Sequence, residues 1–376
     1  MERLLEDRKK VYSARAPHRD VEELRELSFC FSISFSESQM CEPVMADALE
    51  IEGCVVAPGE KKRSQVALLQ LADGTSVSVP VLLMNGAHPG PRVYLGAGIH
   101  GDEVNGIAIL ARALKQINLQ RLAGSIVCVP VQHPLALYAD HRLPLAQFLR
   151  SPLDQAPADA WTCFPGKDDG NLAQMVAATL FRLIRYCDYA LDIHTPTRGG
   201  RYVPIAILPH QKLGPAAQTA EQMAHALGTG WVMRGESGIY VSDGVLCNEA
   251  TRVGIPALTF EIGEGGRLEE DSVATGAGCV LNLLRFLKVI DGDIKKPVTT
   301  HVMREFLGLR ARCGGLLITE AELGGAVRSG DVLCRIIDIF GKEAECVIAP
   351  VDGLFVRATT LSTVTTGERV CTLGIL

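Results

Sequence analysis

Two hydrophobic patterns alternate along the middle of this chain. Short apolar runs at residues 93–99, 125–131, 188–194, 203–208 and 255–266 read as buried strands. Between them, residues 104–117, 172–187, 215–227, 248–253 and 270–287 carry apolar positions at helical spacing, and Asn171 stands where it can cap the second of these helices. Strand–helix alternation of this kind predicts a doubly wound α/β sheet. Upstream, strands are expected around Cys54, at 66–71 and at 77–84, with a turn at Asp73-Gly74 and a sharp loop at Asn85-Gly86 and His88-Pro89-Gly90-Pro91. A Pro-rich loop is expected from His133 to Gly170. Residues 21–27 read as a short helix and 29–36 as a half-buried strand within an N-terminal extension, 1–46.

The alternation stops near Pro297. Beyond it the chain is strand-like, with turns at Gly330-Asp331, Gly341-Lys342, Asp352-Gly353 and Gly367-Glu368. Residues 327–336 return in weakened form as 364–373, which predicts a small, pseudo-twofold β-domain. The expected organisation is an extension (1–46), an α/β domain (47–296) and an all-β domain (297–376).

The chemistry stands at the strand ends. The first apolar run leads directly into His100-Gly101-Asp102-Glu103, the third ends in His194, and the last holds Glu261. In open α/β sheets ligands bind beyond the carboxyl ends of the strands, so these residues point to one edge. Two imidazoles and a carboxylate suit Zn²⁺, one per chain, with an open position for catalysis. Zinc at His100, Glu103 and His194 would acidify water and polarise a carbonyl. Glu261 would shuttle the proton, with Glu264 as its rival, and Asp192, two residues before His194, would orient that ring.

Composition narrows the classes. The 376 residues are 47% hydrophobic and 21% charged, enough for a large core. A net charge of −6 and a pI near 5.9 leave no basic footprint for nucleic acid. No apolar run approaches the roughly 20 residues of a membrane span. The opening MERLLEDRKK lacks the apolar stretch of a signal peptide. Twelve scattered cysteines without a CxxC pair fit a reducing, cytoplasmic setting. The expected partner is a small molecule, and a homo-oligomer is compatible with the pattern.

Together GIHGDEVNG, LDIHT and FEIGEGG resemble the succinylglutamate desuccinylase/aspartoacylase family of the zinc carboxypeptidase clan, over residues 93–287. The resemblance implies a zinc-carboxypeptidase-like mixed sheet flanked by helices. It implies zinc on His100, Glu103 and His194, Glu261 as general base, and a small-molecule N-acylated substrate whose amide, joining an acyl group to an amino acid or amine, is hydrolysed. The β-domain resembles that of the branch containing N-acetyl-diaminobutyrate deacetylases. Arg142 matches the clan's arginine that polarises the scissile carbonyl.

One loop departs from the pattern. Where the family reads Asp-Leu-Asn-Arg-x-Phe-Pro-Gly, residues 159–166 read Asp-Ala-Trp-Thr-Cys-Phe-Pro-Gly. Trp161-Thr162 thus replace the pair whose arginine clamps a substrate carboxylate in this family. Trp161 would offer an apolar wall. Thr162, Arg198, Arg201 and Tyr240 are the remaining candidates for substrate contact. The C-terminal repeats also resemble a biotinyl/lipoyl-type hammerhead (a barrel-like β fold), in which Lys342 reads as an unmodified turn lysine. A carboxypeptidase or peptide amidase, and a metal-binding protein without turnover, are the alternatives.

Overall fold

The computed structural model describes residues 46–144, 158–295, 297 and 299–376, so the helix and strand expected before Ala46 lie outside the described residues. A short hairpin, β1 (Leu49–Ile51) and β2 (Cys54–Val56), precedes the long pair β3 (Lys61–Gln70) and β4 (Ser76–Asn85). The core strands follow as β5 (His88–Ala97), β6 (Ala123–Val129), β7 (Tyr189–His194), β8 (Gly200–Ile207), β9 (Trp231–Met233) and β10 (Ala257–Glu264). Between them lie α1 (Asn105–Lys115), α2 (Pro134–Ala139), α3 (Leu172–Ile184), α4 (Pro215–Leu227) and α5 (Leu246–Arg252), and α6 (Glu270–Phe286) closes the series.

Strands β6, β5, β7 and β10 are mutually parallel, while β4 joins one side and β8 the other antiparallel. The sheet is therefore mixed, with its parallel centre buried between helices as parallel strands require. Ile109 of α1, Met223 of α4 and Val280 of α6 fill one face; Val176 of α3 and Leu246 of α5 fill the other. Asn171 caps α3 with a full capping box, exchanging bonds with Gln174, an arrangement worth about 1 kcal/mol.

Two expectations change. The stretch His88–Gly90 is the start of β5 rather than a loop, because its pairing with β6 absorbs the prolines through a register shift between His88 and Arg92. The described parts of the 133–170 segment are not wholly irregular: Pro134 opens α2, where its fixed φ suits the first helical turn, and Ala160–Thr162 form a 3₁₀ turn.

The remainder is all β: β11 (His301–Met303), β12 (Glu305–Arg310), β13 (Gly315–Thr319), β14 (Ala326–Val327), β15 (Val332–Ile337), β16 (Glu343–Ile348), β17 (Gly353–Thr359), β18 (Thr363–Val364) and β19 (Arg369–Ile375). The repeat has a structural counterpart. β13 pairs with β15 and β18, and β17 pairs with β19 and β14, so each copy starts in one sheet and ends in the other. One of these sheets, β16-β15-β13-β18, stands alone. The other continues the central sheet, since β17 hydrogen-bonds to β8 through Arg357↔Tyr202 and its neighbours. Among the described residues no helix is long and apolar enough to cross a membrane.

Candidate metal centre

The parallel core sets the geometry. β5, β7 and β10 run side by side in the same direction, so their carboxyl ends meet at one edge. Past β5 the chain crosses Gly98 at φ +63°, a left-handed conformation that suits glycine, and turns so that His100 and Glu103 face each other. Gly101 admits no side chain, because a Cβ there would lie 1.8 Å from the Ala136 carbonyl oxygen of α2. His194 closes β7, and β10 places Glu261 directly beside it, as the two are register partners.

His100, Glu103 and His194 offer ligand atoms that all lie within 4.8 Å of one another, and all three are buried. Nδ1 of His100 lies 2.7 Å from Glu103 Oε1, and Nδ1 of His194 lies 2.9 Å from Oε2. Each ring is held from behind by an aspartate: His194 Nε2 is 2.7 Å from Asp192, and His100 Nε2 is 3.1 Å from Asp159. Burial alone would raise the Glu103 carboxyl, yet His100 and His194 hold it far below the ordinary glutamate range. Burial would likewise lower both imidazoles, but the adjoining carboxylates raise them, His194 strongly through Asp192 and Glu103. One buried carboxylate gripped by two imidazoles offers an N, N, O donor set that could hold a metal ion.

Glu261 is 5% exposed, and its Oε1 accepts a 2.8 Å hydrogen bond from the Tyr240 hydroxyl. Its Oε2 has no hydrogen-bond partner among the described residues. Burial and the charge of Glu103 raise its pKa above the usual glutamate value. Burial and Glu261 together push the Tyr240 hydroxyl well up, so it stays a donor. The rival acid Glu264 is instead 3.3 Å from the Arg267 guanidinium.

The remaining sequence candidates divide. Arg142 reaches the centre: it donates to Asp159 at 2.7 Å and lies 3.6 Å from Glu103. Trp161 is buried edge-on against His194, His100 and Tyr240, with ring centroids 5.4, 6.1 and 5.4 Å away. It presents an apolar ring beside both imidazoles. The Thr162 hydroxyl is turned to the Asp159 carbonyl within its own turn. Arg198 and Arg201 are half exposed and engaged by Asp140 and Glu269, respectively.

Sequence reasoning gave Asp159 no role, although its place at the head of the altered loop was visible. It links His100, Arg142 and the Trp161 amide, and its carboxyl is held well below the usual range: burial opposes this, while His100 and Arg142 outweigh it. Asp159→Asn is expected to weaken zinc binding by about 10- to 100-fold. Competition with a fluorescent zinc chelator measures this; an unchanged affinity would show that the contact does not support the centre.

The succinylglutamate desuccinylase/aspartoacylase catalytic domain matches residues 89–287, which span the four residues His100, Glu103, His194 and Glu261. The Nα-acetyl-L-2,4-diaminobutyric acid deacetylase of Halomonas elongata is 24% identical over 273 residues, covering 70% of this chain and 75% of that protein. Among solved structures, the product-bound ectoine utilization protein EutE (DoeB) of Ruegeria pomeroyi superposes with a TM-score of 0.72 at 21% identity, covering 84% of this chain and 95% of that one. A succinylglutamate desuccinylase/aspartoacylase of Rhodobacter sphaeroides gives 0.71 at 23% identity, covering 86% and 98%. With this match over more than half its length, and with the fold of those structures, the chain belongs to the succinylglutamate desuccinylase/aspartoacylase family.

Proposed function

We propose that this protein is a zinc-dependent hydrolase that cleaves the amide bond of a small N-acylated amino acid or amine. The observation that carries the reading is the buried His100–Glu103–His194 cluster with Glu261 in register beside it. The name of the Halomonas relative, a deacetylase of an acylated diamino acid, supports the choice of bond.

His100, Glu103 and His194 would hold the ion, and Asp192 and Asp159 would fix the two rings. A zinc ion in such a site supplies Lewis acidity, which makes water acidic near neutral pH and polarises an amide carbonyl. The free oxygen of Glu261 takes the proton of the attacking water and returns it to the departing amine nitrogen. Tyr240 pins the other oxygen, so the carboxyl keeps one orientation through both transfers. Arg142 faces the centre with a guanidinium already positioned by Asp159, where it can stabilise charge developing on the carbonyl oxygen. Trp161 covers the histidines and keeps bulk water from that side.

The test is a panel of N-acetyl and N-succinyl amino acids beside short peptides, with metal content measured on the same preparation. Release of free amine from the acylated monomers, with about one zinc per chain, is the expected result. Preferential cleavage of peptides would replace deacylation with carboxypeptidase action, and full activity without metal would remove the zinc assignment.

A further inference from the structure

The doubled pattern after Pro297 sets one cysteine in each copy. Aligning residues 327–336 with 364–373 places Cys334 against Cys371. The structure keeps this correspondence down to strand register. Cys334 lies on β15 and pairs with Thr319 of β13, while Cys371 lies on β19 and pairs with Ala358 of β17. β15 belongs to the sheet that stands alone, and β19 to the sheet that continues the central one. Two equivalent side chains that both point into one small core converge on the axis relating their copies.

Both side chains are fully buried, in the core cluster that also holds Leu333, Ile336, Phe355 and Val370. All ten cysteines given for the described residues are free thiols. The Cys334 and Cys371 thiols are in contact, with Cys371 donating a hydrogen bond to Cys334. That bond holds the Cys334 thiol below its ordinary value and, with burial, pushes the Cys371 thiol far up. Cysteines without such a neighbour differ: burial alone pushes Cys128 and Cys279 up to about 12. Cys334 is therefore the readier nucleophile of the pair, and Cys371 stands where a resolving thiol must stand.

We propose that Cys334 and Cys371 form a reversible disulfide under a peroxide oxidant, tying the lone sheet of the β-domain to the sheet that runs on to the metal centre. The Cys334 sulfur, as thiolate, attacks one peroxide oxygen. The O–O bond breaks, leaving a sulfenic acid and a hydroxide that takes up the proton Cys334 gave. The Cys371 sulfur then attacks the Cys334 sulfur, the S–O bond breaks, and the oxygen leaves as water with the Cys371 proton. In balance, two thiols lose two hydrogens and one peroxide becomes two waters. Thiols already in contact need little backbone movement to reach the roughly 2 Å of a disulfide. Peroxide, little larger than water, enters by local opening of the lone sheet, whose β18 is two residues long and whose β13 half exposes Leu316 and Ile318. The bond is independent of the hydrolase reading.

The test treats reduced, full-length protein with a slight excess of hydrogen peroxide, blocks it with N-ethylmaleimide under denaturing conditions and digests it with trypsin without reduction. Cleavage after Arg328, Arg335 and Arg369 puts Cys334 in peptide 329–335 and Cys371 in peptide 370–376. Mass spectrometry should find these two peptides linked, two hydrogens lighter than their sum, and separate again after dithiothreitol. The oxidised protein should melt about 5 °C higher, because the link closes a loop of roughly 40 residues in the unfolded chain. Cys334→Ala and Cys371→Ala should each abolish the link and the reversible shift. Should either variant fail to fold, the peptide map of the unaltered protein decides alone. Recovery of both cysteines as maleimide adducts, linkage of either to a different cysteine, or conversion of Cys334 to a sulfinic acid without a link would overturn the pairing. A link that leaves melting unchanged would overturn the tie between the sheets.

Discussion

Glu261→Gln is expected to lower kcat by about a thousandfold, within the range general acid–base groups contribute, while zinc stays bound at about one per chain. Glutamine keeps the shape of the side chain, and its amide oxygen can still accept the Tyr240 hydrogen bond. What it lacks is a basic oxygen. In the native protein one carboxyl oxygen is occupied by Tyr240 and the other is buried without a partner among the described residues, which is the arrangement a transferring proton needs. Because Glu261 is outside the His100–Glu103–His194 cluster, metal content and thermal stability should hardly move. Steady-state kinetics with metal analysis on one sample decide the matter. Retained activity would shift the role to another group and leave the cluster as a binding site alone.

His194→Ala should be the most disruptive single change. It removes one of two nitrogen donors and leaves Asp192, fully buried, without the imidazole it contacts at 2.7 Å. The other Asp192 oxygen already has no partner among the described residues. An orphaned buried polar group costs about 1–3 kcal/mol, so the loss of metal should be accompanied by a lower melting temperature. The informative comparison is melting with and without added zinc. The native protein should gain stability from the ion by mass action, and the variant should gain little. A variant that still holds zinc tightly and cleaves substrate would place the metal elsewhere.

The substrate side was less legible than the metal side. His100, Glu103, His194 and Glu261 each end or follow an apolar run, and burial of such a run is a local property that sequence displays. Asp159 carries no comparable mark. It acts because residues 159–162 fold under His100, a contact between positions 59 apart. Arg198 and Arg201 sit close to His194 in sequence, but the loop carries Arg198 to Asp140 and strand β8 carries Arg201 to Glu269. The His88–Gly90 stretch looked like a turn because its residues favour one, and pairing with β6 overrode that preference.

What the chain determined by itself was the alternation of apolar runs and helices, the donor type at each strand end and the doubled pattern after Pro297. These depend on periodicity and on residue chemistry, which need no partner segment to be read. Only the tertiary structure decided which side chains stand next to one another. The pairing of β17 with β8, and the bulge between Glu261 and Gly263 that sets Tyr202 opposite Gly263, are matters of register between distant strands. Register is chosen by packing of the whole sheet, since a one-residue slip would send every side chain to the opposite face.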